Sequence, residues 1–406
     1  MQRAGLAGLG SVAVLWLLAS ASLLGLWSER VAEPGGAGEG FPRERPGEPR
    51  TGGPAGPAAP KTFRALLTLP GPPREGAGAS GQEQPWGWPV RGGVFWSRAL
   101  EAAVPAGFSA GEAASWLRAA RSARVVSLER GGCGRGSNRL AVLSDGSRAC
   151  VRYGINAEQV QGEALCYHLA ELLGIQARLP PLALARVEAR GGQWAAVREE
   201  LRGAHWAEGA VVSLARWVDN LTDVVAPLPW RAQAGRRPQP ALAPAQLRGL
   251  APAQLAELVQ WGDLILFDYL TGNFDRLASN LFSLQWDARV MQRATSNLLR
   301  GPDGGLVFLD NEAGLGHGYR LLAVWDQYNE PLLRSVCLFR EATAQRLREL
   351  HRRRNAAAEL RRLYRAREPL AQALGFLSHR QAQLLQDRVD LVHRHILHCQ
   401  ARADAL

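Results

Sequence analysis

Twenty-five uncharged residues, Ala4 to Ser28, separate Arg3 from Glu29 and include the apolar run SVAVLWLLASASLLGLW. At about 1.5 Å per residue, such a segment crosses a bilayer core of about 30 Å. Arg3 and the α-amino group are the only cations on its N-terminal side, so the positive-inside rule places residues 1–3 in the cytoplasm and the remainder in the lumen. The small residues Ala19, Ser20 and Ala21 offer a signal-peptidase site after a short h-region, but segment length favours an uncleaved signal anchor at 4–28. Either way the chain enters the secretory pathway. Glu33 to Pro60 then reads EPGGAGEGFPRERPGEPRTGGPAGPAAP, which carries too little apolar surface to offset its ordering entropy. Residues 29–93 are therefore expected to form a disordered stalk, with the folded part starting near Val94.

Of the 406 residues 47% are hydrophobic, enough for a sizeable core. Basic residues number 48 against 37 acidic, and Lys61, beside the stalk's Gly/Pro tract, is the only lysine. The charge alone would suit a nucleic-acid reader, but a lumenal topology excludes that partner. Five cysteines are too few for a disulfide scaffold, and they lack the C-x-x-C spacing of a zinc site. In an oxidising lumen four can pair; the pairing taken is Cys133 with Cys150 and Cys337 with Cys399, leaving Cys166 as a free buried thiol. Asn220-Leu221-Thr222 is a glycosylation sequon, usable only in the lumen.

The folded part reads as two lobes, 94–218 and 219–406. In the first, Gly111 to Arg124 is helical, and three extended runs from Val125, Asn138 and Ser147 form an antiparallel meander with a tight turn at Asp145-Gly146. Glu158 to Leu173 is an amphipathic helix with Gly174 as its C-cap. Leu182 to Leu201 reads as a hairpin turning at Gly191-Gly192, and Ala210 to Val218 as a strand. The second lobe opens with a long apolar helix, Ala253 to Leu270, and a hairpin is expected from Asn297 to Glu312. Helices continue to the end, where residues 340–406 hold 14 Arg against 7 acids on what reads as a solvated helix face.

A β-rich lobe with one inserted helix, then a helical lobe, is the order of a protein kinase. Phosphoryl transfer asks the protein for placed charges: phosphate holders, metal-binding carboxylates and a base beside the acceptor hydroxyl. Gly132, Gly134 and Gly136 sit in a glycine-rich turn between two strands, where bare backbone N–H groups can approach phosphates. Arg152, on the third strand, stands where a kinase has its lysine; its fork can hold phosphate oxygens but does not copy an ammonium. Glu163, mid-helix, is its natural partner. Asp275 and Asn280 have the spacing of a kinase catalytic loop, one orienting or deprotonating the acceptor and the other binding metal, with a strand expected at LFSL directly after. Asp310 ends an apolar strand, the position of a carboxylate holding Mg²⁺ or Mn²⁺ against nucleotide phosphates.

The runs GGVFWSRALE (92–101), ERGGCGRGSNRLA (129–141), CVRYGINAEQVQGEAL (150–165), LILFDYLTGNFDRLASNLFSLQWD (264–287) and FLDNEAGLGHGYR (308–320) resemble the vertebrate four-jointed box family. That family is similar to secretory-pathway kinases that include the Golgi casein kinase and the proteoglycan xylose kinase. The resemblance implies an α+β, atypical two-lobed kinase-like fold in a type II Golgi membrane protein, cleaved and secreted in part. It implies phosphorylation of Ser or Thr in cadherin repeats of Fat and Dachsous type with ATP and Mn²⁺, tuning planar cell polarity and growth. Carried over by residue, it makes Asp275 of G-N-F-D-R the catalytic aspartate, Asp310 of D-N-E the metal aspartate, and Glu163 a helix glutamate that also approaches the metal. Arg152 departs from the wider kinase lysine, which keeps open a weak or inactive kinase-fold protein acting as a secreted ligand or scaffold. A lipid or sugar kinase shares the D-R-x-x-x-N loop.

Overall fold

The computed structural model describes residues 90–154, 156–188, 191–231, 247 and 250–404. The expected tail, the anchor at 4–28 and the stalk as far as residue 89 lie outside the described residues. Among the described residues no helix is long and apolar enough to cross a membrane.

A hairpin of β1 (Val90–Arg91) and β2 (Val94–Phe95) opens the described residues, so the fold includes strand residues ahead of the expected Val94. Helices α1 (Arg98–Ala103) and α2 (Ala110–Ser122) come next. A reciprocal capping box starts α2: the Glu112 N–H donates to Ser109 Oγ, and the Ser109 N–H to the Glu112 carboxylate. Strands β3 (Val125–Glu129), β4 (Arg139–Leu143) and β5 (Arg148–Arg152) form the meander. Its second turn works because Gly146 takes φ +83° and Asp145 Oδ1 accepts from the Ser147 N–H at 3.0 Å. Beyond it lies α3 (Ala157–Leu173), capped by Asn156 and closed by left-handed Gly174.

Strand β6 (Leu182–Arg186) does not turn back as a hairpin. After Gly191 the chain coils into a 3₁₀ turn and then α4 (Arg198–Gly203). Trp194, Val197 and Leu201 explain this correction, since their helical spacing buries all three under the sheet, and Glu199 and Glu200 favour a helix N-terminus. Strand β7 (Val211–Arg216) inserts between β5 and β6, giving the antiparallel order β3-β4-β5-β7-β6.

The second half begins with β8 (Thr222–Val225), just after the exposed sequon residue Asn220, which has φ +57°. Helix α5 (Pro252–Thr271) is buried along nearly its whole length and ends on Gly272 at φ +66°. The expected strand at LFSL is instead helical, within α6 (Leu277–Ser283), because Leu277, Ala278 and Leu281 bury one helical face. The next strand, β9 (Ala294–Arg300), pairs with β8 and with β10 (Leu306–Phe308). Helix α7 (Leu322–Arg334) leads to β11 (Phe339–Arg340), which returns to pair in parallel with β2. Helices α8 (Glu341–Arg353), α9 (Ala356–Arg367), α10 (Ala371–Leu374) and α11 (His379–Asp404) complete the chain. Cys337 is disulfide-bonded to Cys399, tying the segment before β11 to the end of α11.

Helix α3 differs from its expected amphipathic character: 13 of its 17 residues are buried, because the sheet covers one side and α8, α9 and α10 the other. At its middle, a Cβ on Gly162 would lie 2.7 Å from the Gly314 carbonyl oxygen, closer than real Cβ atoms come. Gly314 in turn lies over Cys166, the buried free thiol. Two glycines back to back thus bring α3 directly against the segment after β10.

Candidate active site

That contact sets Glu163 beside Asp310, and Arg152 joins them. Arg152 ends β5 with its side chain buried; its Nε lies 3.2 Å from Glu163 Oε1, and its Nη1 donates to Asp310 Oδ1. Ser213, opposite Arg152 in the β5–β7 register, donates its hydroxyl to Glu163 Oε2 at 2.9 Å. Buried charges persist only when compensated, and each member of this trio has an opposite charge beside it. Burial alone would raise the Asp310 carboxyl, but the guanidiniums of Arg152, Arg135 and Arg276 together outweigh it and hold Asp310 below the usual carboxylate range. Burial wins at Glu163, whose pKa is raised despite Arg152. Asp310 itself has left-handed backbone, φ +54°, which turns the chain out of β10.

Asp275 lies just beyond the C-cap of α5. Asn297, on β9, donates its amide to Asp275 Oδ2 at 2.9 Å and to the Asp275 carbonyl at 3.2 Å, fixing the carboxylate. Burial, and then the charge of Asp310, push the Asp275 pKa up to about 6. Each carboxyl therefore lies within the other's field. Arg276 is fully buried and binds four residues on three segments: it pairs with Asp268 on α5, and donates to the carbonyls of Asn297 at 3.1 Å and Leu309 at 2.7 Å and to Asn311 Oδ1 at 2.5 Å. It locks the catalytic-loop candidate onto the segment after β10 that carries Asp310. Asn280 is buried in the first turn of α6, its N–H donating to the Arg276 carbonyl at 3.2 Å; its side chain makes no hydrogen bond to another described residue.

The glycine-rich turn lies over these acids. A Cβ on Gly134 would stand 3.4 Å from Asp310 Oδ2, while Gly132 packs under the Trp217 ring and Gly136 borders open space. The Cys133–Cys150 disulfide ties the turn to β5, two residues from Arg152. Arg135, at the tip, pairs with Glu312. Beneath lies a small cleft lined by Arg152, Glu163, Tyr167, Leu182, Phe308 and Asp310, with a volume of about 20 Å³, room for roughly one water molecule. As it stands this cleft is too small for a nucleotide.

Five residues that sequence reasoning missed now stand in the site. Asp268 and Arg276 pair in its floor, Asn297 orients Asp275, and Arg135 and Glu312 close its mouth. Only Asp268 carried a clear signal: a carboxylate inside the apolar run LILFDYL must find a buried partner. The site holds five carboxylates, Glu163, Asp268, Asp275, Asp310 and Glu312, against three guanidiniums, Arg135, Arg152 and Arg276. An all-oxygen donor set with excess negative charge fits a hard divalent cation.

Residues 111–402 match the four-jointed box protein middle domain. The chain is 58% identical to human four-jointed box protein 1, covering 97% of each. It is 35% identical to the Drosophila melanogaster extracellular serine/threonine protein kinase four-jointed, over 76% of this chain and 60% of that one. The crystal structure of the Golgi casein kinase with Mn/ADP bound superposes with a TM-score of 0.50 at 12% identity, over 74% of this chain and 80% of that one. That likeness shows the fold, an atypical kinase architecture of a β-rich lobe and a helical lobe. By its matched domain and its identity to these relatives, the chain belongs to the four-jointed box family.

Proposed function

We propose that this chain is a secretory-pathway protein kinase that transfers the γ-phosphoryl group of ATP, with Mn²⁺ or Mg²⁺, to Ser or Thr hydroxyls on cadherin repeats of the Fat and Dachsous type. The observation that carries the reading is the Glu163–Arg152–Asp310 trio closing on the same space as Asp275. Its Drosophila relative, whose name describes an extracellular serine/threonine kinase, supports the reaction class. In this reading the lobes span 94–218 and 219–406, the body lies in the Golgi lumen behind the anchor, part of it is released, and the outcome is control of planar polarity and growth.

Asp310, Glu163 and Asn280 would hold the cation, which neutralises charge on the transferring phosphoryl group when bound. Arg152 favours the ionised form of Asp310 and holds both Asp310 and Glu163 in place, and the N–H groups of the turn around Gly132, Gly134 and Gly136 offer donors to phosphate oxygens. Asp275, held by Asn297, accepts the acceptor hydroxyl's proton as the oxygen attacks the γ-phosphorus and the bond from that phosphorus to the β,γ-bridging oxygen breaks, so that ADP leaves; the proton is later released to water. A second reading, a secreted ligand or scaffold without transfer, draws support from the closed turn, with Arg135 seated on Glu312.

Incubating the purified protein with a cadherin repeat, labelled ATP and Mn²⁺ separates the two. Transfer to Ser or Thr that drops by about 10²-fold or more in Asp275→Asn is expected, the usual contribution of a positioned base. Label that never reaches protein, or that survives both Asp275→Asn and Asp310→Ala, defeats the kinase reading. Label on glycan or lipid redirects it to another acceptor class.

A further inference from the structure

Away from this cleft, a separate cavity of about 280 Å³ opens where β1, β2, α8 and the end of α11 meet. Its wall carries Arg91, Trp96, Glu341, Gln345, Arg348 and Gln400. The volume is near the lower end of ligand sites, about 300 Å³, and suits one or two sugar rings rather than an extended chain. The two guanidiniums are its defining chemistry. Glu341, the wall's only acid, is engaged by the Gln345 amide at 3.1 Å, and among the described residues neither Arg91 nor Arg348 forms an ion pair with a carboxylate. Unlike the neighbouring Arg352 and Arg353, which both pair with Glu349, they remain available to an incoming anion.

The surroundings are built rather than accidental. Gly92 and Gly93, at φ +54° and +75°, let the β1–β2 turn press against the Cys337–Cys399 bridge: a Cβ on Gly93 would sit 2.5 Å from the Cys337 carbonyl, and one on Gly92 would meet Gln400 at 3.2 Å. The Phe339 N–H also donates to the Gly93 carbonyl at 3.0 Å. The β1–β2 hairpin is thereby held against the disulfide that ties the segment before β11 to α11. Trp96, 39% exposed, presents an aromatic surface of the kind on which the C–H face of a pyranose stacks. The Gln400 amide adds the donor and acceptor that hydroxyl groups require.

We propose that this cavity binds an acidic oligosaccharide: sulfate or carboxylate groups on Arg91 and Arg348, one ring on Trp96, and hydroxyls on Gln400. A peptide anion would use the cations without needing the ring. A flat bilayer would favour the exposed arginines of α8 and α9 over two guanidiniums set in a concavity. The inference does not depend on phosphoryl transfer.

The test measures binding of a heparin-derived hexasaccharide to the full chain by calorimetry, with a hyaluronan hexasaccharide, inorganic sulfate and phosphatidylserine vesicles as parallel arms. Arg91→Gln with Arg348→Gln is expected to weaken hexasaccharide binding about tenfold or more, the scale of losing one or two charge-assisted hydrogen bonds. Trp96→Ala weakens it several-fold, and Arg352→Ala with Arg353→Ala less than twofold. Inorganic sulfate should bind far more weakly than either oligosaccharide; hyaluronan binding as tightly as heparin assigns the site to carboxylates, and tighter heparin binding to sulfates. Unchanged melting points and an unchanged ATP/Mn²⁺ shift certify folding, since these residues lie outside the cleft. Equal losses from the pocket and the Arg352/Arg353 variants, pocket variants that bind like the parent, or vesicle binding without oligosaccharide binding would each overturn the proposal.

Discussion

Gly162 and Gly314 meet back to back, the helix residue facing the loop carbonyl with no room for a methyl group between them. Everything that pairs Glu163 with Arg152 and Asp310 rests on that approach. Gly162→Ala must push α3 outward, and overpacking of this kind costs about 1–3 kcal/mol. A melting point lowered by several degrees is expected, with nucleotide affinity falling further than the instability explains. Parental affinity in a folded Gly162→Ala protein would show that the contact does not position the trio.

Arg276 and Asp268 form a buried pair at the floor of the site. Replacing Arg276 by Met leaves the buried Asp268 carboxyl without its partner, which is expected to destabilise the fold by about 3–5 kcal/mol. Adding Asp268→Leu removes the orphaned carboxyl, so urea denaturation of the double variant should recover much of that loss. Strictly additive losses would rule out coupling between the two.

Asp275 gives a pH signature. Burial holds its folded-state pKa near 6, above the ordinary 3.8, so the native state binds the proton more tightly than the unfolded chain. Protonation therefore favours the fold at low pH, and stability is lost as pH climbs through the interval from about 4 to 6. Asp275→Asn, which cannot ionise, should raise the melting point of metal-free protein at pH 7.5, with the gain shrinking as the pH is brought down through 6 to 4. A variant no more stable than the parent at pH 7.5 would mean that the carboxylate is not held at that cost.

The Cys133–Cys150 bridge closes a short loop of sequence separation 17 around the glycine-rich turn. Removing it as Cys133→Ser with Cys150→Ser should cost about 3 kcal/mol by loop entropy. Because the turn lies over Asp310, KM for ATP should rise more than kcat falls. An unchanged KM in a folded variant would detach the turn from nucleotide binding.

How far the chain could be read before its structure depended on whether a signal was local. The meander was legible because Asp145-Gly146 and alternating apolar residues act over a few positions, and Gly174 announced the end of α3. The Gly191-Gly192 pair misled, since a turn residue does not decide whether a strand or a helix lies beyond it, and Trp194, Val197 and Leu201 needed the sheet above them to show a helical face. LFSL was misread for the same reason. Arg152, Glu163, Asp275 and Asp310 could be proposed from their order along the chain, whereas the role of Arg276 could not: its partners come from α5, β9 and the segment after β10, and only the folded chain brings them within reach of one guanidinium.

Arg152, read from the sequence as standing where kinases carry a lysine, ends β5, and no lysine occurs after Lys61. A guanidinium stays protonated at every physiological pH and is a poor nucleophile. Acyl-phosphate nucleotide probes, which tag kinases by acylating an amine in the ATP site, therefore have no amine to modify between residues 62 and 406. Surveys that count active kinases by such labelling will pass over this protein however active it is, and inhibitors that anchor on that amine will find no purchase.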